Sequence, residues 1–102
     1  MILIADSGST KTDWVLINTK KEVVLKTTTK GLNPTVFSES DLYATITTNK
    51  PVMEYVEVIS HVFIYAAGCG TETPKKKLEV LFYNGQEYLQ ALVLQKQKLL
   101  AR

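Results

Sequence analysis

Apolar positions in the first 29 residues fall into three short runs separated by polar turns. Residues 1–5, 14–18 and 22–29 each predict a β-strand, the last because it is rich in β-branched side chains. Residues 7–12 are small or polar, and residues 19–21 form a polar turn. The pattern therefore predicts a three-stranded antiparallel meander at the start of the chain.

The middle of the chain changes to helical spacing. Ser38, with Asp41 three residues later, approximates a capping box, and apolar residues follow at helical intervals. Several threonines weaken this helix, and Pro51 is expected to end it. Between residues 52 and 60, apolar side chains recur at i, i+3, i+4 and i+7, which favours a helix slightly over a strand.

A fourth strand and two helices are predicted in the last third. Residues 61–65 (HVFIY) predict a strand that ends in a loop of small residues. Thr73 followed by Pro74 has the form of an N-cap with proline at the first helical position, so a helix is expected over 74–83. Residues 86–102 predict a second helix with one apolar face, formed by Leu89, Leu92, Val93, Leu99 and Leu100.

This order of elements predicts an α/β layer fold. The antiparallel meander comes first, and the fourth strand joins it in parallel through a helical crossover. A chain of 102 residues is long enough for one small domain.

Composition and charge exclude several classes of function. Apolar residues make up 45% and charged residues 22% of the chain, which is typical of a soluble protein with a core. The net charge of +2 is too small to indicate nucleic-acid binding, and the run at residues 75–77 (KKK) is more typical of a solvated helix start than of a polyanion site. No apolar run approaches the roughly 20 residues of a membrane span, so no membrane contact and a cytoplasmic location are expected.

Cysteine and histidine each occur once. Cys69 has no intrachain disulfide partner, which fits a reducing compartment, and with His61 it falls short of the four ligands of structural zinc. We interpret Cys69 as a small buried thiol and His61 as a partly exposed structural residue rather than as catalytic groups. Trp14 is expected to pack in the core.

The connection between the first two predicted strands is the strongest candidate for a binding site. Because a strand follows it instead of a helix, it is neither the GxxxxGK[ST] nor the GxGxxG nucleotide loop. Glycine lets the backbone approach a ligand, successive amides can form an anion nest, and hydroxyl and ammonium groups add donors. The predicted phosphate-binding residues are Gly8, Ser9, Thr10, Lys11 and Thr12.

Asp6 precedes this loop at the end of the first predicted strand. A carboxylate there is badly placed for phosphate but well placed for Mg²⁺, which takes only one or two carboxylates. Taken alone, the pattern slightly favours a plainer interpretation, a polar hairpin whose Asp and Ser side chains bond to amides of their own turn. The loop at residues 31–34 (GLNP) is similarly open, because Asn33 before proline is ordinary turn chemistry.

Three segments in order resemble one protein family. Residues 6–14 (DSGSTKTDW) resemble the first phosphate motif of the sugar kinase, heat-shock 70 and actin superfamily. Their form is closest to the D-G-G-G-T-K-T of the N-acetylglucosamine kinase branch, which groups with the BadF/BadG/BcrA/BcrD ATPases, and two serines stand where that branch has glycine. Residues 31–34 resemble its G-x-N-P segment, and residues 63–69 (FIYAAGC) resemble its strand ending in Y-G-A-G, with alanine for one glycine.

The resemblance implies a ribonuclease H-like (actin-like ATPase) lobe that uses ATP and Mg²⁺ on an amino sugar. It implies that Asp6 binds the metal and that Asn33 and Gly68 bind the substrate. Residues 1–74 are expected to form this N-terminal lobe, and residues 75–102 a helical segment that diverges from the family. An isolated lobe or a truncated or frame-shifted reading frame is the favoured explanation, and a natural small relative whose last helix caps the open edge of the sheet is the alternative. The family has a strand after the helix that begins near residue 75.

Two features of the family are missing from this sequence. Its members have two lobes, which need roughly 250 residues, and they carry a catalytic aspartate soon after the Y-G-A-G strand, whereas no aspartate follows Asp41 here. We therefore expect an N-terminal fragment of an ATP-dependent amino-sugar kinase that alone binds nucleotide weakly or not at all and is inactive, with no catalytic residue of its own. The alternatives are an ATPase regulator of the BadF/BadG type and a non-catalytic domain that forms a homodimer through the apolar surface of its last helix.

Overall fold

A computed structural model describes residues 1–82 and 90–95. The five strands form one sheet in the order β3-β2-β1-β4-β5. The first three strands pair antiparallel, while β4 lies parallel to β1 and β5 lies parallel to β4. In chain order the elements are β1 (Ile2–Ser7), β2 (Lys11–Ile17), β3 (Val23–Lys30), α1 (Glu39–Thr47), α2 (Lys50–Met53), a 3₁₀ turn (Val56–Val58), β4 (His61–Ala66), α3 (Glu72–Glu79) and β5 (Gln90–Gln95). The meander, the parallel strands and the crossover helices confirm the predicted α/β class.

Successive side chains of a strand point to opposite faces of the sheet. One of these faces is buried against the helices. Three cross-strand rows on β2, β1 and β4 lie on this face, and all of their side chains are buried. Leu42, Ile46 and Leu78 of the helices belong to the same buried cluster. The rows are Leu16-Leu3-Val62, Trp14-Ala5-Ile64 and Thr12-Ser7-Ala66. The first two rows are apolar and form the core, whereas the third begins with two hydroxyl side chains at one end of the sheet.

β5 corrects the prediction of a helix over residues 86–102. Residues 90–95 form a strand that pairs in parallel with the whole of β4. Val93 is 1% exposed and Leu92 is 48% exposed, so neighbours that the helical pattern placed on one face point to opposite faces. The short apolar run 91–94 (ALVL) fits a strand as well as a helix, and β4 supplies hydrogen-bond partners for the strand.

Residues 90–95 therefore do not form the helical face on which a homodimer was expected. The remainder of the predicted helix, residues 86–89 and 96–102, lies outside the described residues. The strand agrees with the order of elements that the family resemblance implies after the helix near residue 75.

The start of α1 follows the prediction, and its end does not involve proline. Ser38 Oγ accepts a hydrogen bond from Asp41 N at 3.2 Å, so Ser38 is the N-cap. The helix ends at Thr47, and Pro51 lies in the first turn of α2, where a missing N–H removes no helical hydrogen bond. The helical preference over 52–60 corresponds only to the end of α2 and the 3₁₀ turn.

Helix α3 begins two residues earlier than predicted and ends sooner. Its N-cap is Thr71, which has extended backbone, and not Thr73. Pro74 therefore lies at the third helical position, where the backbone N–H has no partner within the helix in any case. The helix ends at Glu79 instead of residue 83.

Candidate functional site

The candidate phosphate loop is a tight hairpin at the polar end of the sheet. β1 runs to Ser7 and β2 begins at Lys11, so the strands extend further into residues 7–12 than the pattern predicts. The amide of Gly8 donates to Lys11 O at 2.9 Å and closes the turn. The side chains of Ser9, Thr10 and Lys11 are exposed. Gly8 to Lys11, the first four predicted phosphate-binding residues, thus form a turn whose side chains are exposed to solvent.

Thr12, the fifth predicted phosphate-binding residue, points to the buried face of the sheet and is not exposed at the turn. Its side chain is fully buried, and its Oγ1 lies 3.0 Å from Ser7 Oγ and 3.0 Å from Lys30 O. The backbone amide of Leu32 donates to Ser7 Oγ at 2.8 Å. Buried hydroxyl groups need hydrogen-bond partners, and these two find them in three different segments. The pair therefore joins the ends of β1 and β2 to the loop after β3.

Gly31 allows the loop after β3 to touch the hairpin. Its amide donates to Thr10 O at 3.1 Å. A Cβ atom at Gly31 would lie 2.8 Å from Gly8 O and 2.9 Å from Ser9 O, which is closer than side-chain carbons approach backbone. The candidate phosphate loop and the segment that carries Asn33 are therefore in direct contact.

Asn33 and Gly68, the two predicted substrate residues, meet in the structure. Gly68 has φ +79°, and a Cβ atom there would overlap Asn33 Oδ1. Asn33 Oδ1 accepts hydrogen bonds from Thr35 N at 2.9 Å and from Thr35 Oγ1 at 2.7 Å, which is the turn chemistry that the plainer interpretation expects. Within residues 1–82 and 90–95, no acceptor is found for Asn33 Nδ2, which leaves an amide donor for a ligand.

Asp6 lies at the end of β1 with an exposed side chain, directly opposite Asp13 in the register of β1 and β2. Asp13 Oδ1 lies 3.9 Å from Lys11 Nζ and 3.4 Å from Thr28 Oγ1. Like charges on directly opposed strand positions repel each other. The sequence pattern did not single out Asp13, because the second apolar run begins at Trp14 and the pairing of Asp13 depends on strand register.

Lys77 differs from the solvated helix start expected for residues 75–77. Its side chain is half-buried, and its Nζ donates to Pro34 O at 2.8 Å and to Phe37 O at 3.1 Å. Lys76, the preceding residue, is exposed as expected. No signal in the local sequence distinguishes the two lysines, because the carbonyl partners of Lys77 lie about 40 residues earlier in the chain.

The structure agrees with the environments expected for Trp14, Cys69 and His61. Trp14 is buried in the core as predicted, and its Nε1 donates to Thr29 Oγ1 at 2.8 Å. Cys69 is buried, and burial raises the pKa of its thiol above the ordinary value, with Lys75 opposing this shift and Glu79 adding to it. His61 is exposed at the start of β4.

Neither a cluster of metal ligands nor a membrane-spanning helix is found in the part of the chain that the structure describes. Among residues 1–82 and 90–95, no three His, Cys, Asp or Glu side chains are grouped as a metal site would need. No helix within the same ranges has the length and apolar character needed to cross a membrane.

Two solved structures share this architecture. A protein of Porphyromonas gingivalis, provisionally assigned as an N-acetylglucosamine kinase, is 26% identical, with a TM-score of 0.72 over 91% of this chain and 34% of that protein. A protein of Cytophaga hutchinsonii, provisionally assigned as a sugar kinase, is 13% identical, with a TM-score of 0.58 over 93% of this chain and 36% of that protein. No protein-family model and no curated protein matches the chain.

These similarities define the class of fold. The five-stranded mixed sheet with its helices is one small lobe of the actin-like ATPase fold that occurs in sugar kinases. The chain spans about a third of the length of each of the two proteins it matches. The second similarity concerns the fold alone, whereas the first also supports the resemblance to sugar kinases.

Proposed function

We propose that the chain is the N-terminal lobe of an ATP-dependent amino-sugar kinase, of the N-acetylglucosamine kinase type, which phosphorylates a sugar hydroxyl. One observation carries the proposal: the Gly31 amide bonds to Thr10 O, so the candidate phosphate hairpin and the loop of Asn33 share one end of the sheet. A phosphoryl donor and a sugar acceptor must be held side by side, and phosphoryl transfer depends mainly on positioning and charge stabilisation. The similarity to the Porphyromonas gingivalis protein supports the same substrate class.

Each group in this site has a proposed role. The turn Gly8–Lys11 receives the terminal phosphate of ATP through the backbone amides of Ser9 to Lys11, two exposed hydroxyls and the Lys11 ammonium, while the Gly8 amide closes the turn. Thr12 acts from behind the turn, through Ser7. Asp6 would hold Mg²⁺, and bound Mg²⁺ would neutralise charge on the phosphates.

The acceptor sugar lies at Asn33 and Gly68 in this proposal. The Nδ2 group of Asn33 donates to a sugar oxygen, while Oδ1 stays committed to Thr35. Gly68 packs directly against the Asn33 amide, because any side chain at position 68 would collide with it. All of these residues belong to the proposed lobe 1–74, and β5 completes its sheet.

We further propose that this polypeptide does not turn over ATP by itself and acts in the cytoplasm. The kinases that the sequence resembles use an aspartate soon after the Y-G-A-G strand as the general base for the sugar hydroxyl, and no aspartate follows Asp41 in this chain. Its lone cysteine fits a reducing compartment.

Amide chemical shifts of the ¹⁵N-labelled chain test this proposal. Titration with MgATP is expected to shift the amides of Gly8 to Lys11, and titration with N-acetylglucosamine those of Asn33 and Gly68. Cyclohexanol at the same concentration is the control for non-specific contact. Shifts confined to other parts of the sheet would refute the site, and sugar-dependent ATP turnover by the 102 residues would refute the need for an external base.

A further inference from the structure

Lys77 connects helix α3 to the loop that carries Asn33. Its Nζ donates to Pro34 O at 2.8 Å and to Phe37 O at 3.1 Å, across 43 and 40 positions of sequence. Hydrogen bonds from an ammonium group are charge-assisted and stronger than those between neutral groups. Because the group is half-buried, water competes less for the two carbonyls than it would at an exposed lysine.

The two carbonyls that Lys77 binds lie on a closed turn. The amides of Val36 and Phe37 both donate to Asn33 O, at 3.1 Å and 3.0 Å. Thr35 bonds to the Asn33 side chain within the same turn. Lys77 thus holds a unit whose internal bonds all converge on Asn33, so a movement of the turn would move the Asn33 side chain with it.

The segment from the end of β4 into α3 contacts the loop of Asn33 at two places. Gly68 lies just beyond the end of β4 and supports the Asn33 side chain, and Lys77 follows on α3 and holds the far side of the turn. The hairpin has separate supports, namely the Gly8–Lys11 bond and the Ser7–Thr12 pair. The bonds that join the hairpin to the loop of Asn33 are made by Gly31 and Leu32, so removal of the Lys77 bonds at Pro34 and Phe37 leaves them in place.

We infer that Lys77 is a positioning residue that fixes Asn33 against Gly68 and so sets affinity for the sugar, without setting affinity for phosphate. This inference rests on the proposed function, because it takes the loop of Asn33 as the sugar site. Lys77 itself does not touch the sugar. It acts through Pro34 O and Phe37 O.

Lys77→Met in the 102-residue chain tests the inference, with Lys76→Met as the matched control that removes an equal charge from an exposed neighbour. Amide hydrogen exchange at Val36 and Phe37 is expected to become at least about tenfold faster in Lys77→Met, and to stay unchanged in Lys76→Met. Exchange at the Gly8 amide should be the same in both variants. Lys77→Arg, which keeps a cationic donor, is expected to restore slower exchange.

Binding separates a positioning role from a general loss of structure. The Kd for N-acetylglucosamine should rise at least about fivefold in Lys77→Met, while the Kd for inorganic phosphate should not change. Equal weakening of both ligands, or equal exchange in the two methionine variants, would overturn the inference. If Lys77→Met does not fold, Lys77→Gln keeps one neutral donor, and exchange at Phe37 no faster than in the unsubstituted chain would overturn it instead.

Hydrogen exchange and sugar binding together show which of the two proposals is wrong. If the unsubstituted chain binds no sugar while Lys77→Met still accelerates exchange, the proposed function is wrong, and the sugar role of Lys77 is wrong with it. If the chain binds sugar and Lys77→Met has the exchange rates and sugar Kd of Lys76→Met, only the role of Lys77 is wrong.

Discussion

Ser7 Oγ and Thr12 Oγ1 lie 3.0 Å apart in a fully buried pair, and the Leu32 amide donates to Ser7 Oγ at 2.8 Å. The N-acetylglucosamine kinase motif that the sequence resembles has glycine at the position of Ser7. In this chain a hydroxyl group stands there instead, and it bonds the hairpin to the neighbouring loop. The departure from the motif therefore adds a connection between the two halves of the proposed site.

Replacement of Ser7 by alanine should destabilise the chain. The change leaves the buried Leu32 amide without its acceptor, and an unsatisfied buried donor costs about 1–3 kcal/mol. The free energy of unfolding in urea measures this loss. Ser9→Ala, at an exposed position of the same hairpin, is the control and should change it by less than about 0.5 kcal/mol. Equal effects of the two substitutions would mean that Ser7 makes no net contribution.

Gly68→Ala should be destabilising and should displace Asn33. Alanine is strained at φ +79°, and its Cβ would overlap the Asn33 amide, so a loss of about 1–3 kcal/mol is expected. Gly70→Ala is the control, since Gly70 is exposed and has no positive φ. Thermal unfolding measures the loss, and amide shifts of Thr35 report the displacement. A Gly68→Ala variant as stable as Gly70→Ala would contradict the contact.

Asn33→Asp separates the structural role of Asn33 from its proposed role in binding. Aspartate keeps an oxygen to accept from Thr35 N but replaces the Nδ2 donor with a second acceptor. The stability should change little, while the Kd for N-acetylglucosamine should rise about tenfold or more, because one donor is replaced by an acceptor. Asn33→Ala should lose both the turn and the affinity. An unchanged sugar Kd in Asn33→Asp would remove Asn33 Nδ2 from the site.

Burial of the Cys69 thiol predicts a loss of stability at alkaline pH. Burial raises the pKa of this thiol in the folded state, so the folded chain retains the proton that the unfolded chain loses above its own thiol pKa of about 8.5. The contribution of the protonated Cys69 thiol to the free energy of unfolding is fully present below the unfolded-state pKa. It is lost as the pH rises from there through the folded-state pKa. Unfolding in urea between pH 7 and 10 measures it.

Cys69→Ala isolates the thiol from the lysines and tyrosines that also titrate in this range. The fall in stability above about pH 8.5 should be smaller in the variant than in the unsubstituted chain, because only the unsubstituted chain has a thiol that ionises more readily in the unfolded state than in the folded state. Iodoacetamide should also react with Cys69 more slowly than with free cysteine at pH 8. Identical pH profiles for the two chains would contradict the raised pKa.

The local pattern was sufficient for β1 to β4 and for the cap of α1. Alternation of apolar and polar residues, with turn residues between them, is a property of neighbouring positions, and Ser38 bonds to an amide three residues away. The order of these elements predicted the sheet and its crossover. It also predicted that the hairpin after Asp6 would lie at a strand end, although the strands extend further into it than the pattern indicated.

The sequence by itself thus determined the α/β class and the polar hairpin, because both depend on residues close together in the chain. Only the tertiary structure decided that residues 90–95 are a strand, because their apolar run fits either period and β4 supplies the partner. It also decided that Asp13 faces Asp6 and that Lys77 binds Pro34 O, which depend on strand register and on packing between remote segments. The contact between Gly31 and the hairpin, which joins the two proposed subsites, has the same origin.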